Sequence, residues 1–531
     1  MKKKEMETKL KDGLKNLNPI YKKSFLAAFL LINLAFLFHT VNFMFGDHDW
    51  NYIRSANYWS EGSFEGRPLH FVMQSLFFNG HVLPILNNLF SFAFLALGGV
   101  LLAHYWRVPK KTFQYALFAT FTAILPYTLV WLFYAKDMLS NLSLPLVVVA
   151  GLLLADRPYK KIWYHVAAIA LFYFAFASYA AVLNLMGVCL LGAILVTYVS
   201  GKSDIIKVIR QKIPSAADII IAAVLYKLTL VFTSLTAEYN TQTLGVMYWP
   251  EKLKETVTVM FTQFTTPLPF MEYKFKLLLL ALCLFALVVA LIKGGVKKAP
   301  AVIVLVLAIL LASKAAFFLA DERGQILAEM ENFAFVPRLD FYGLGYIYAL
   351  ALAVILSLTK GKWYKVGAAL AVIIAFMSGV RDMYAEKVWK LGFDAEMKTH
   401  ERIVSRLEQH PDFRANQKYR LLQIGSLSLR KNYYRKAAGE ETSLDLLETS
   451  FTPQFMSRIV YNFYYPEDVF YNNATVEDLS AKGQEFLRFK AKSWPSADSI
   501  FIDGDVIIIT NKLVYVSFVA GRNSNIRCLY N

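Results

Sequence analysis

The first 380 residues are a succession of apolar runs, most of them close to the twenty or so residues that a helix needs to cross the hydrocarbon core of a bilayer. Backbone N–H and C=O groups in hydrocarbon must be satisfied inside the segment itself, so runs of this length fold as helices packed in a membrane. Eleven spans are predicted, near 24–45, 82–104, 113–134, 138–155, 161–178, 179–199, 216–236, 275–292, 299–319, 338–358 and 364–380. The apolar stretch 161–199 is too long for one helix and is divided at Ser178-Tyr179. Composition agrees, with 56% of residues hydrophobic and 18% charged, where a soluble domain carries about 25% charged residues. The fold class expected is an α-helical polytopic membrane protein with about eleven transmembrane helices and a C-terminal extracytoplasmic α+β domain.

A net charge of +17 would suit nucleic acid, but the lysines and arginines sit mostly in short loops, where membrane proteins gather them on the cytoplasmic side. With the N-terminus inside, the inner segments hold 24 Lys and Arg and the outer loops seven. One missed or invented span would exchange the two sides for every later loop, so the bias supports the count and argues against a nucleic-acid partner. Residues 1–23, with eight lysines, read as a cytoplasmic basic segment, and the apolar run behind them as an uncleaved first span. Cys189 and Cys283 lie in apolar runs and Cys528 stands alone, so neither a disulfide framework nor a zinc site is implied.

After Val380 the chain takes on ordinary polar content. Residues 382–410 read as a helix ended by Pro411, and Tyr419–Ile424, Ser499–Ile502, Val506–Thr510 and Leu513–Val519 as strands, with Asp503-Gly504-Asp505 as a turn. The domains expected are 1–23, a transmembrane region 24–380 with a first outer loop 46–81, and an extracytoplasmic domain 381–531. Amphipathic stretches near 68–80 and 251–264 suit the outer interface.

The chemistry-bearing residues gather in the outer loops. Asp47-His48-Asp49-Trp50 follows the first span directly, and Glu65-Gly66-Arg67-Pro68 follows in the same aromatic-rich loop. A carboxylate at the membrane rim can take a proton from an incoming hydroxyl, and low-dielectric surroundings raise its basicity. Arginine presents a planar fork suited to phosphate. Asp47, His48 and Asp49 can also ligate a divalent cation, since carboxylate oxygens suit Mg²⁺ or Mn²⁺ and imidazole suits transition metals, and no other cofactor follows. Lys136-Asp137 is read as an outer turn between spans, and Lys136 and Arg338 as phosphate contacts. Lys314 lies inside the ninth span, near its outer end, and Lys227 near the middle of the seventh, where a cation costs about 2.5–3.5 kcal/mol. Lys314 is read as snorkelling to the outer surface or meeting a lipid phosphate there, Lys227 as pairing with a polar group or lining a cavity. Arg323, directly after Asp321-Glu322, reads as solvated. Phosphate-loop, dinucleotide, zinc-helix and nucleophile-elbow motifs are missing.

This layout resembles the serotype-converting O-antigen glucosyltransferases of the GT-C superfamily, the Gtr type II family. The residues carrying the likeness are Asp47-His48-Asp49-Trp50, Arg54, Gly66-Arg67-Pro68 and, less specifically, Pro337-Arg338; the tail from Asp382 to Gly425 is also similar. The family pattern has adjacent acidic residues, whereas His48 separates them here; Asp-Trp-x-x-x-Arg places Asp49 closest to the family's spacing. The resemblance implies a GT-C-like membrane domain and a polyprenyl-phosphate-hexose donor, usually glucose. It also implies a cell-surface or lipid-linked glycan acceptor, a bacterial cytoplasmic (inner) membrane, and partner proteins that make and flip the donor. Asp49 is then expected to deprotonate the acceptor, with Asp47 orienting it or stabilising the positive charge growing on the sugar, and Arg54, Arg67, Lys136, Arg338 and Lys314 to serve the donor phosphate. A lipid-linked oligosaccharide flippase or a glycan polymerase are the competing readings.

Overall fold

The computed structural model describes residues 18–42, 44, 67–132, 134–157, 161–201, 204–232, 249–265, 273–319, 341–424, 461–462, 464–465 and 469–510. The chain divides into two compact units, one of residues 1–43 and 55–385 and the other of residues 44–54 and 386–531.

The first unit is helical. It comprises α1 (Pro19–Ala35), α2 (Leu37–Val41), α3 (Val72–Phe78), α4 (Pro84–Tyr105), α5 (Thr112–Ala123), α6 (Leu129–Leu132), α7 (Ala135–Ala155) and α8 (Ile162–Ser178). It continues with α9 (Val182–Ser200), α10 (Ile205–Phe232), α11 (Trp249–Thr265), α12 (Tyr273–Gly294), α13 (Ala299–Ala312), α14 (Ala315–Leu319), α15 (Leu344–Leu358) and the start of α16 (Gly361–Glu408). Among the described residues six helices, α4, α7, α9, α10, α12 and α16, are long and apolar enough to cross a membrane, and α8 and α15 are shorter apolar helices. The long apolar stretch does divide at Ser178-Tyr179: Tyr179 leaves the helix with extended backbone, φ −161° and ψ 109°.

Three expected spans are interrupted. The run 113–134 stops at Ala123, turns through residues 124–128 and resumes as the single turn α6; Pro126 in this turn lacks the N–H that a continuing helix would use. The run 299–319 breaks at Ser313-Lys314, and the first span at Phe36. In the opposite sense, the last span and the helix expected over 382–410 are one continuous helix, α16.

Small residues bring helices close. A Cβ on Gly98 of α4 would stand 3.0 Å from the Leu146 backbone nitrogen of α7, and one on Gly99 would stand 2.8 Å from Ala119 of α5. In hydrocarbon, where burial of apolar surface no longer drives association, such van der Waals contact is what holds helices together. The last carbonyls of α9 are closed by Lys298, whose Nζ donates to Tyr198 O and Gly201 O, both at 2.7 Å.

The second unit is built on a four-stranded sheet of order β2-β1-β4-β3, with β1 (Tyr419–Ile424), β2 (Phe470–Asn473), β3 (Ile500–Asp503) and β4 (Val506–Thr510). β1 runs parallel to β2 and β4, while β3 and β4 form the hairpin expected at Asp503-Gly504-Asp505, with Gly504 at φ 64°. Ile403, Val404 and Leu407 of α16 pack on one face with Tyr419, Leu421, Ile507 and Ile509; Leu422, Ile508, Phe486 and Leu487 pack on the other. Every residue of β4 is buried, which is why it reads as an unbroken apolar run. The fourth expected strand, Leu513–Val519, lies outside the described residues.

Candidate functional site

Arg67-Pro68 opens a turn, closed by His70 N to Arg67 O at 3.0 Å, that leads into α3. This turn is tied to the break between α8 and α9: Leu69 N donates to Ala177 O at 3.1 Å, and Ser178 Oγ to Leu69 O at 3.3 Å. The Arg67 guanidinium consequently lies over the Tyr179 ring, 4.8 Å from its centroid.

Lys136 and Asp137 are in a helix rather than in the turn between spans expected from the sequence. They occupy the first turn of α7 and are buried, each 6% exposed. An acidic residue suits this position because the unsatisfied N–H groups of a helix start carry positive charge. The helix start is itself braced, Gln74 donating to Asn87 Oδ1 and Asn87 to Ala135 O, each at 3.2 Å. Asp137 Oδ1 lies 2.9 Å from His70 Nε2 and 3.8 Å from Lys136 Nζ, and Arg67 is near enough to act on Asp137 electrostatically. His70 Nδ1 is 2.9 Å from Ser178 O. The imidazole, 1% exposed, bridges the α8–α9 break and the start of α7.

Aromatic rings surround this polar cluster. Trp131 of α6 stands edge-on to Tyr179 at 5.3 Å, and Tyr342, just before α15, lies 6.0 Å from Trp131 and 5.7 Å from Tyr179. Tyr342 donates to Asn141, whose backbone and side-chain oxygens both lie at 3.0 Å, and Asn141 Nδ2 donates to Asp137 O at 2.9 Å. At Gly343 the chain meets the α13–α14 break so closely that a Cβ would stand 2.3 Å from Ser313 O. Lys314 is in that break, 5% exposed, and Asn184 Oδ1 accepts from Ala316 N at 2.8 Å beside it. Three helix interruptions and the start of α15 therefore converge. Non-helical backbone at membrane depth is tolerated where protein buries it or where it lines a cavity, and in transporters such discontinuities mark binding sites.

Of the residues singled out from sequence, Arg67 and Lys136 come together at the His70–Asp137 pair, and Lys314 sits in a break that meets the same cluster through Gly343. Lys227 is elsewhere, on the unbroken α10. Asp47, His48, Asp49, Arg54, Arg323 and Arg338 lie outside the described residues. His70, Trp131, Tyr179 and Tyr342 were not marked as site residues by sequence reasoning; Pro126, five residues before Trp131 in an apolar run, is the signal that could have drawn attention to a break.

Residues 24–325, more than half of the chain and including Arg67, His70, Trp131, Lys136, Asp137, Tyr179 and Lys314, match the family described as glucosyl transferase GtrII. The chain belongs to this family. The GtrII family makes it a membrane glycosyltransferase, working on a sugar donor and a glycan acceptor. The match ends before α15, so Tyr342 and the C-terminal unit lie beyond it. No curated protein and no solved structure matches the chain.

Proposed function

We propose that this GtrII chain transfers a hexose, glucose by family, from a polyprenyl-phosphate donor to a cell-surface or lipid-linked glycan at the outer face of a bacterial cytoplasmic membrane. The observation that carries this reading is the pairing of Arg67 and Lys136 at one buried polar cluster walled by Trp131, Tyr179 and Tyr342. Cations at membrane depth suit a lipid-borne phosphate, and flat aromatic faces suit a sugar ring or an isoprenoid chain. Sidedness rests on the lysine bias of the loops, with the N-terminus cytoplasmic and the C-terminal unit outside.

The chemistry is a single displacement. Asp49 takes the proton of the acceptor hydroxyl, Asp47 orients that hydroxyl, and the oxygen attacks the anomeric carbon as its bond to the phosphate oxygen breaks, inverting the centre. The polyprenyl phosphate leaves with added negative charge, which Arg67 and Lys136 offset, with Arg54, Arg338 and Lys314 as further contacts. Purified Asp49→Asn is expected to lose about 100-fold or more in transfer from polyprenyl-phosphate-glucose, the span typical of a lost general base. Wild-type transfer by both Asp49→Asn and Asp47→Asn would overturn the assignment. A divalent cation at Asp47, His48 and Asp49 is a separate proposal: chelation would abolish transfer, and Mg²⁺ or Mn²⁺ would restore it.

A further inference from the structure

Both nitrogens of the His70 ring face oxygens. Nδ1 is 2.9 Å from the Ser178 carbonyl, which only accepts, and Nε2 is 2.9 Å from Asp137 Oδ1. A neutral imidazole has one N–H, so two such bonds need one proton more than a neutral ring and a carboxylate hold between them. The His70–Asp137 pair is thus either imidazolium with carboxylate or imidazole with carboxylic acid, and is neutral as a pair in both. Its contribution is geometric. It joins the turn that carries Arg67, the broken helix whose Tyr179 ring lies under that arginine, and the first turn of α7 that carries Lys136.

We propose that His70 is a positioning residue, a two-ended bracket that sets where Arg67 and Lys136 stand for the donor's phosphate. This rests on the phosphate role given to those cations above. The bracket needs a hydrogen bond at each ring nitrogen, and the two bonds are not equivalent. The bond to Ser178 is duplicated by Leu69 N to Ala177 O and Ser178 Oγ to Leu69 O, which tie the same turn to the same break. The bond from Nε2 to Asp137 is the one that reaches α7. A side chain keeping only the bond to Asp137 should therefore preserve most of the function, and one keeping only the bond to Ser178 should not.

The test uses full-length purified protein with citronellyl phosphate, a short isoprenoid phosphate, and citronellol, its phosphate-free counterpart. Binding of each is measured for His70→Ala, His70→Gln and His70→Asn. Gln places its amide nitrogen near the position of Nε2, and Asn near that of Nδ1. His70→Ala is expected to weaken the phosphate by about tenfold, the size of one lost hydrogen bond to a charged group, while citronellol changes by less than about twofold. His70→Gln should recover most of the loss and His70→Asn little of it. Equal losses for phosphate and alcohol, no loss for the phosphate, or rescue by Asn as complete as by Gln would overturn the proposal. If His70→Ala does not fold, the comparison of Gln with Asn decides alone. Arg67→Ala and Lys136→Ala separate the two levels: if neither weakens the phosphate, the phosphate reading itself fails, and if they do while His70→Ala does not, only the bracket fails.

Discussion

Among the described residues, the membrane unit contains two buried His–Asp contacts of nearly equal length, in different settings. His70 meets Asp137 at 2.9 Å where helices are interrupted, and His165 meets Asp218 at 2.8 Å between α8 and α10. His165–Asp218 joins two segments that remain helical through the contact, so it acts on helix packing. His70–Asp137 joins a turn to a helix start, and the residues it positions carry cationic side chains. Equivalent pair chemistry is thus used once to lock a scaffold and once to shape a site, and the difference lies in whether the backbone around the pair is regular.

The sharpest way to break this comparison is Asp218→Ala. Removing one partner of a buried pair costs about 3–5 kcal/mol, so the thermal midpoint should fall substantially, while citronellyl phosphate affinity of the folded fraction stays within about twofold of wild type. A selective loss of phosphate affinity would make the two pairs functionally alike. Gly343→Ala probes the interrupted side next. Its Cβ cannot coexist with Ser313 O at 2.3 Å, and overpacking of this kind costs about 1–3 kcal/mol. Here stability and glucosyl transfer should fall together, since the strain is placed between the α13–α14 break and Tyr342; transfer unchanged at reduced stability would separate that break from the site.

The smallest effect is expected in the second unit, where charges are exposed. Arg420 forks onto Asp505 at 2.8 and 3.0 Å and reaches Asp478 at 2.6 Å. The Asp505 carboxyl is lowered from its ordinary range chiefly by the hydrogen bond from Arg420, and that of Asp478 by bonds from the Thr475 backbone and hydroxyl ahead of Arg420. Groups whose folded values are depressed stabilise above the unfolded value, about 3.9 for aspartate, and that contribution drains away as pH falls through the folded value. The opening of β1 and β4, read by hydrogen exchange corrected for the pH dependence of the intrinsic rate, should accordingly change little between pH 7 and 5 and rise below about 4. A rise already between pH 7 and 5 would show that other groups control this unit.

Much of the architecture was legible because apolar length and period are direct consequences of bilayer thickness and sheet geometry. The division at Ser178-Tyr179 and the Asp503-Gly504-Asp505 hairpin both emerge from local pattern. β2 did not, because Phe470-Tyr471-Asn472-Asn473 carries two residues that strands disfavour and is held by its neighbour β1. The site was half legible. Arg67 and Lys136 stand out as charges among apolar residues, whereas His70, Trp131, Tyr179 and Tyr342 gain their meaning from interruptions, and hydropathy averages over an interruption. It registers how long an apolar run is, and only a residue such as Pro126 hints that the helix within it stops.

The strand order of the second unit has a consequence for how it is made. β4 is flanked by β1 and β3, yet it is synthesised last of the four, and its partner β1 precedes it by the whole segment from Ile424 to Val506. Until Val506–Thr510 has emerged, β1 lacks the neighbour that covers one of its edges, and the apolar faces on both sides of the sheet lack their middle strand. Closure must wait for β4, and pairing across so long a segment is slow and leaves apolar surface exposed to aggregation meanwhile. A ribosome stalled before Val506 would hold a membrane unit with its helices in place and a sheet that cannot yet form.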